Sequence, residues 1–284
     1  MKTSLKLSAY GAALTVLVAG TYAVGTAVGP VSDSSPSVTA PAHVDDHGAA
    51  AATHEPGGLA STRGGYTLVP DATTLGSGTL AFRITGRDGA PVTAFDEAHE
   101  RQLHLIVVRR DGTGFQHLHP ERDAAGTWQV PLTVPAGGVY RAIADFTPSG
   151  GPATTLGVDL FAPGDFQPVT HAASRTSTVD GYVVTLDGDL VPGTGSPLRL
   201  TVTRDGAPVP VEPYLGAFGH LVALRGGDLA YLHVHPGNAA AAGPVVGFDA
   251  EVPSAGTYRM FFDFQVGGVV RTADFTVTTA GGTA

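Results

Sequence analysis

The sequence predicts an all-β fold of two tandem β-sandwich domains, and three observations support this. Short runs rich in Val, Leu, Thr, Tyr and Phe are broken by Asp-Gly, Pro-Gly and Gly-Gly pairs, the signature of brief strands joined by tight turns. The 284 residues include 39 Gly and 21 Pro with only 14% charged side chains, which leaves room for two domains that each bury a core. The chain also repeats itself with a period near 116 residues, Gly65-Tyr66 returning as Gly181-Tyr182. That spacing suits two domains in tandem and is too long for a solenoid.

The elements follow in order. Lys2 and Lys6 precede an uncharged, largely apolar stretch from Leu7 to Ser32. Its length exceeds the roughly 20 residues that span a bilayer, and the flanking Lys residues favour a cytoplasmic N-terminus. Residues 1–32 therefore read as a membrane anchor, with a signal peptide cleaved near Ala27 or Gly29 as the alternative. The plasma membrane is the expected location, with single-pass topology and extracytoplasmic domains; cleavage would make the protein secreted.

Residues 33–63 are rich in Ser, Pro, Ala and Gly without a hydrophobic period and read as a flexible spacer. His43, Asp45, Asp46, His47 and His54 within it read as solvated linker residues. The first sandwich is expected over 64–163, an interdomain linker over 164–178 and the second sandwich over 179–280. Within each repeat the run RDGAPV (Arg87–Val92, Arg204–Val209) precedes a hairpin. A Gly-x-Tyr-Arg strand follows it, GVYRAIADF ending at Phe146 and GTYRMFFDF ending at Phe264. A Tyr at the start of such a strand resembles the corner of immunoglobulin-like domains, where its hydroxyl bonds back to the backbone. Two immunoglobulin-like sandwiches are thus expected, with Trp128, present only in the first, as a packing residue.

The hairpins carry the chemistry. HLIVVRRDGTGFQHLHP (His104–Pro120) and HLVALRGGDLAYLHVHP (His220–Pro236) share six of 17 positions, and three of the six are His. Asp111-Gly112 and Gly227-Asp228 signal two-residue type I′ turns. Counting outward from them places His104 opposite His119 and His220 opposite His235. Strand alternation puts His117 on the face of His119 and His233 on that of His235. Directly opposed residues have Cβ atoms about 4.5–5.5 Å apart, so three imidazoles crowd one face of each ribbon. The predicted ligands are His104, His117 and His119 in one site and His220, His233 and His235 in the other. Copper(II) or zinc suits such sulfur-free clusters. The competing reading is that amphipathic His rings simply pack on a half-buried hairpin. Pro120 and Pro236 are expected to end their strands, having no N–H to donate.

Asp96 and Glu212, eight residues before the first His of each triplet, and Asp145 and Asp263 in the Asp-Phe strands are candidate supporting carboxylates. Arg141 and Arg259 share a strand face with Asp145 and Asp263 and are expected to pair with them. His99 and His171 have no counterpart and receive no role.

Several functions are disfavoured by composition. There is no Cys, hence no disulfide, thiolate site or cysteine nucleophile. Met1 and Met260 are the only thioethers, too few for a Met-rich copper(I) site. A net charge of −9 disfavours a nucleic-acid partner. No Gly-x-Ser-x-Gly elbow, phosphate loop or His-Glu-x-x-His helix occurs, so a binding protein is expected rather than an enzyme.

The combination of HLIVV…HLHP, EPYLGAFGHLVAL…HVHP and an N-terminal apolar segment resembles a group of poorly characterised bacterial proteins, common in actinobacteria, that are membrane-anchored or secreted. They carry tandem His-x-His-Pro hairpins and are often labelled heavy-metal or copper associated. The resemblance implies an extracytoplasmic copper- or zinc-binding role in sequestration or hand-off, with the same six His residues as ligands. The expected partners are the membrane and a metal transporter or envelope protein. The EPYLG stretch is confined to the second copy, which leaves Glu212 without a matching residue in the first. A non-metal envelope module for protein interaction is the alternative function, and a zinc-dependent hydrolase the second.

Overall fold

The computed structural model describes residues 56–232, 234–237 and 242–280. The expected anchor, most of the spacer with His43, His47 and His54, and His233 lie outside the described residues, as does the side chain of His235. Among the described residues every regular element is a strand, and no helix is long and apolar enough to cross a membrane.

The first sandwich comprises β1 (Thr62–Arg63), β2 (Tyr66–Pro70), β3 (Gly78–Thr85), β4 (Phe95–Asp96), β5 (Leu103–Arg109), β6 (Gln116–Leu118), β7 (Glu121–Arg122), β8 (Thr127–Leu132), β9 (Gly138–Pro148) and β10 (Thr154–Ala162). The second comprises β11 (Thr176–Val179), β12 (Tyr182–Asp187), β13 (Gly195–Arg204), β14 (Ala207–Pro208), β15 (His220–Arg225), β16 (Tyr231–Leu232), β17 (Val234–Pro236), β18 (Val245–Glu251), β19 (Thr257–Val266) and β20 (Val269–Thr278). Thr62 and Arg63 thus leave the spacer, and Thr176–Thr178 leave the linker, to join the edges of their sandwiches.

One sheet of each repeat runs β1-β2-β3-β8-β7 or β11-β12-β13-β18-β17, and the other β10-β9-β5-β6 or β20-β19-β15-β16. This is the immunoglobulin order of an A-B-E-D sheet facing a G-F-C-C′ sheet. The tyrosine corner is present in both copies. Tyr140 Oη donates to Ala136 O at 2.9 Å and Tyr258 Oη to Ser254 O at 2.7 Å.

Alternation sets the cores. On β3, Leu80, Phe82 and Ile84 point inward, and on β13, Leu198, Leu200 and Val202 do so. The central strands β5 and β15 differ, being buried almost continuously. Leu103, Leu105 and Val107 fill the first core, and Leu221 and Ala223 the second. Their outward neighbours Ile106, Val108, Val222 and Leu224 form a third core with Ile143, Phe261 and Leu229. Phe115 and Tyr231 pack against it, and Phe115 stacks on Phe261 at 3.9 Å between ring centroids, 5° from parallel. The two sandwiches therefore meet through the outer faces of their β5–β9 and β15–β19 sheets. The uninterrupted apolar run LIVV is the mark of a strand covered on both sides.

The chain just upstream of β1 closes one edge of this seam. Tyr231 N donates to Gly57 O (2.9 Å), Gly58 N to Thr155 O (3.2 Å) and Gly157 N to Ala60 O (2.9 Å). Arg141 Nη1 donates to Gly58 O and Leu59 O at 3.1 and 3.0 Å. Only glycine fits at 157, where a Cβ would lie 1.9 Å from Gly58 O.

Both hairpin turns depart from the expected type I′. A type I′ turn needs positive φ at both central residues. Asp111 is not left-handed, whereas Gly112 (φ 81°) and Gly114 (φ 62°) are. Gly112 N donates to Arg109 O and Arg109 N to Thr113 O, a three-residue loop closed by a glycine bulge. The Asp111 carboxylate, held by Arg109 Nε (3.0 Å), Thr113 N (3.2 Å) and Thr113 Oγ1 (2.8 Å), favours this form. Gly114 absorbs one further residue, so the ladder keeps Leu105 opposite Leu118 and Ile106 opposite His117. The next pair along is His104 and His119, as expected.

In the second copy the loop runs over 226–229, with Leu229 N donating to Arg225 O and left-handed φ at Gly227 and Leu229. Leu224 faces Tyr231 and Ala223 faces Leu232, but the chain then changes sheets. β17 pairs with β18, placing His235 opposite Asp249, so the expected pairing of His220 with His235 does not form. The cause is topological: the strand after C′ must join the opposite sheet. The second copy crosses two residues earlier than the first, where Leu118 still pairs with β5 and Pro120 follows β6. Pro236 is the last residue of β17.

Truncating the stack at the seam should be costly. Phe261→Ala, at a residue only 3% exposed, should lower stability by about 3–5 kcal/mol, read as a lowered urea midpoint. A change below about 1 kcal/mol would mean that the seam contributes little.

Candidate metal centre at the seam between the sandwiches

Alternation fixes what lines the outer face of the central strands. His104 shares it with Ile106 and Val108, and His220 with Val222 and Leu224. His104 faces Asp145 across β5–β9, and His220 faces Asp263 across β15–β19. Packing two such faces brings the polar ends of both together at one end of the seam.

His104, His117 and His119 each offer a ring nitrogen, and these atoms all lie within 4.8 Å of one another. Their outer contacts fix the tautomers. His104 Nε2–H donates to Ala98 O at 3.0 Å. His117 Nδ1–H donates to Asp263 Oδ2 at 2.7 Å, both side chains being about 95% buried (6% and 5% exposed). The other Asp263 oxygen accepts from Thr272 Oγ1 at 2.6 Å. Each neutral imidazole carries one N–H, so the inner atoms, His104 Nδ1 and His117 Nε2, both present lone pairs. They stand 3.1 Å apart. Two facing lone pairs at that distance repel unless a proton or a metal ion lies between them. His119 Nε2 is buried with no hydrogen-bond partner.

A proton is disfavoured there. Burial pushes His104 down to about 4, against the pull of the Ala98 carbonyl and reinforced by the neighbouring imidazoles. Burial likewise lowers His119 to about 3, with His117 and His104 adding to the fall. His220 is lowered to about 4 by burial, opposed by its bond to the Tyr214 carbonyl.

The second repeat contributes more than the hairpin reading anticipated. Asp263 serves the first copy's His117, and Arg259, expected to pair with Asp263, instead pairs with Asp274. Arg141 similarly pairs with Asp159 (2.9 Å), not Asp145, whose carboxylate accepts from Thr155 Oγ1 (2.9 Å). Asp96 and Glu212 hold loops: Asp96 accepts from Ser149 Oγ, and Glu212 from Gly267 N and Gly268 N. His171 Nε2–H donates to Asp111 O.

His99, read as without a role, is exposed with its ring 6.0 Å from that of His104 and 5.2 Å from that of His220. The Tyr214 ring lies 6.4 Å from that of His119 and 5.7 Å from that of His220. The loop that carries His99 is built twice, although its residues at 98–101 and 214–217 do not match. Ala98–Arg101 and Tyr214–Ala217 each close by two reciprocal backbone hydrogen bonds, with left-handed residues at His99, Glu100, Leu215 and Gly216. Each loop begins with the carbonyl that binds the His, six positions before that His on β5 or β15.

These depressed values set the pH response of the metal-free protein. The unfolded chain takes up protons near pH 6.5, which His104 and His220 refuse until about pH 4 and His119 until about pH 3. The stability these groups contribute is therefore fully present above about pH 7 and falls between about pH 6.5 and 3, by at most about 4 kcal/mol per pH unit for three such groups. Urea midpoints in chelator should drop accordingly, and a flat profile from pH 7 to 5 would contradict this assignment.

No curated protein sequence matches the chain. Solved structures match at low identity. A marsupial T cell receptor is 10% identical, with 76% of this chain and 100% of that one covered and a TM-score of 0.24. A putative membrane anchored protein from Corynebacterium diphtheriae is 9% identical, with 77% and 59% covered and a TM-score of 0.23. The D00-D0 domain of intimin is 10% identical, with 75% and 96% covered and a TM-score of 0.22. A family pattern described as a domain of unknown function, DUF8832, matches twice, over residues 62–160 and 177–281, and the chain belongs to that family.

Proposed function

We propose that this protein is an extracytoplasmic tandem immunoglobulin-like binding module that holds a copper or zinc ion at His104, His117 and His119, for sequestration or hand-off at the cell envelope. The observation that carries the reading is the pair of facing lone pairs on His104 Nδ1 and His117 Nε2, 3.1 Å apart. Two nitrogens bonded to one ion at about 2.0–2.1 Å are about 2.9–3.4 Å apart, so the spacing is that of a chelating pair. The hydrogen bond from His117 to Asp263 supplies the carboxylate–imidazole support common behind metal-bound His. His119, with its unpartnered Nε2, completes a three-nitrogen set after a closing shift on the order of 1 Å. We place a binding protein ahead of a hydrolase because Asp263, the carboxylate at the cluster, is engaged by His117 and Thr272 and is not free to act as a general base.

A second reading has its own support. The His117–Asp263 bond crosses the seam and ties the two sandwiches together without any ion, as a purely structural module for envelope protein interaction would require.

Metal content and calorimetric titration of tag-free protein with copper(II) and with zinc separate the two. One tight equivalent per chain, lost in His104→Ala/His117→Ala, is expected. Only weak uptake that survives this double substitution would leave the structural reading in place. Turnover of a model ester by the zinc-loaded protein would favour the hydrolase.

A further inference from the structure

The metal site just proposed has as its neighbour His220, which the hairpin pattern places in a separate second site, and the following rests on that reading. We propose that His220 of the second sandwich is the fourth ligand of the same ion, so that one closed four-imidazole site is shared between the two repeats.

His220 is the second-copy equivalent of His104, and it is pinned in the same way. Its Nε2–H donates to Tyr214 O at 3.0 Å, as that of His104 donates to Ala98 O at 3.0 Å. The carbonyl lies six residues upstream in each case, at the start of the same tight loop. That bond fixes the tautomer, and His220, like His104, presents Nδ1 as its lone-pair nitrogen.

Ring positions agree. Within the triad the centroids are 4.8 to 5.3 Å apart, and His220 lies 6.2 Å from His104 and 6.0 Å from His117. Four imidazoles around one tetrahedral ion, with metal–nitrogen bonds of about 2.0–2.1 Å, have centroids about 5 Å apart. Measured against His104 and His117, His220 thus stands on the order of 1 Å outside the closed geometry. His99 competes less well, because its ring meets His104 and His220 at the outer edge of the group and is exposed.

Two consequences separate this arrangement from a site owned by the first repeat. A ring of four nitrogens leaves no open position for water, as in structural zinc sites. Ligands from both sides of the seam also make metal binding and sandwich packing reinforce each other, since linkage is reciprocal.

Zinc alone is a sufficient probe, added to the full chain and to His220→Ala, His220→Gln and His99→Ala. The wild type should show four imidazole nitrogens by X-ray absorption, and zinc should slow amide exchange in both β5 and β15. Both His220 variants should fall to three imidazoles with an oxygen neighbour, lose affinity by at least the roughly tenfold that loss of a mere supporting partner costs, and no longer slow exchange in β15. His99→Ala should behave as wild type. Four imidazoles and a Kd within twofold of wild type in both His220 variants would overturn the shared site while leaving the metal reading intact. No zinc uptake by the wild type would overturn both. Two His220 variants with wild-type metal-free melting midpoints make loss of fold distinguishable from loss of a ligand.

Discussion

Burial of the outer faces of β5–β9 and β15–β19 against each other is the constraint on which the rest depends. An isolated immunoglobulin-like sandwich leaves one face of each sheet to water, and its strands then alternate apolar and polar residues. Here Ile106 meets its counterpart Val222 in one cluster, Val108 accompanies Leu224, and Ile143 accompanies Phe261. The same positions of both copies are used, as in an isologous dimer joined into one chain. Charged and ionisable residues at the ends of those strands are carried into the seam whether or not they have partners within their own repeat. At one end Arg110 reaches across to Asp228 O. At the other the histidines gather.

This geometry explains why the imidazoles are oriented from outside. A His ring on a solvent-facing hairpin would exchange tautomers freely. Here Ala98 and Tyr214 each take one Nε2–H, and Asp263 takes the Nδ1–H of His117. The inward nitrogens are lone pairs because the outward ones are already committed. Preorganisation of this kind lowers the reorganisation needed on binding, and its source is backbone carbonyls of a loop and a carboxylate of the other domain, not the His-x-His spacing itself.

Much of this was legible in the chain. The repeat, the strand class, the tyrosine corner and the register of the first hairpin all follow from local signals: turn residues, alternation and the Gly-x-Tyr-Arg run. The convergence of His104, His117 and His119 follows from that register. What could not be read were relations between segments far apart. The first hairpin keeps the expected register with a different turn, because the bulge at Gly114 compensates for the three-residue loop. In the second copy the early change of sheet after Leu232 pairs His235 with Asp249 instead of His220, and period-2 counting has no means of detecting such a switch. Asp263 reads from its strand both as a candidate supporting carboxylate and as a partner of Arg259, whereas the imidazole it supports, His117, lies 146 residues away in sequence and in the other repeat. His99 has no counterpart in the second copy, yet docking of the two faces places its ring beside that of His220.

The segment from Pro56 to Ala60 gives the seam a mechanical character. Gly57 is bonded to the second sandwich through Tyr231, while Gly58 and Ala60 are bonded to the first through Thr155 and Gly157. Tension arriving from upstream of Pro56 is therefore divided between both sandwiches at the first contact. Neither is peeled from the other strand by strand; the hydrogen bonds along the segment and the apolar seam beneath it bear load together, in the manner of a lap joint.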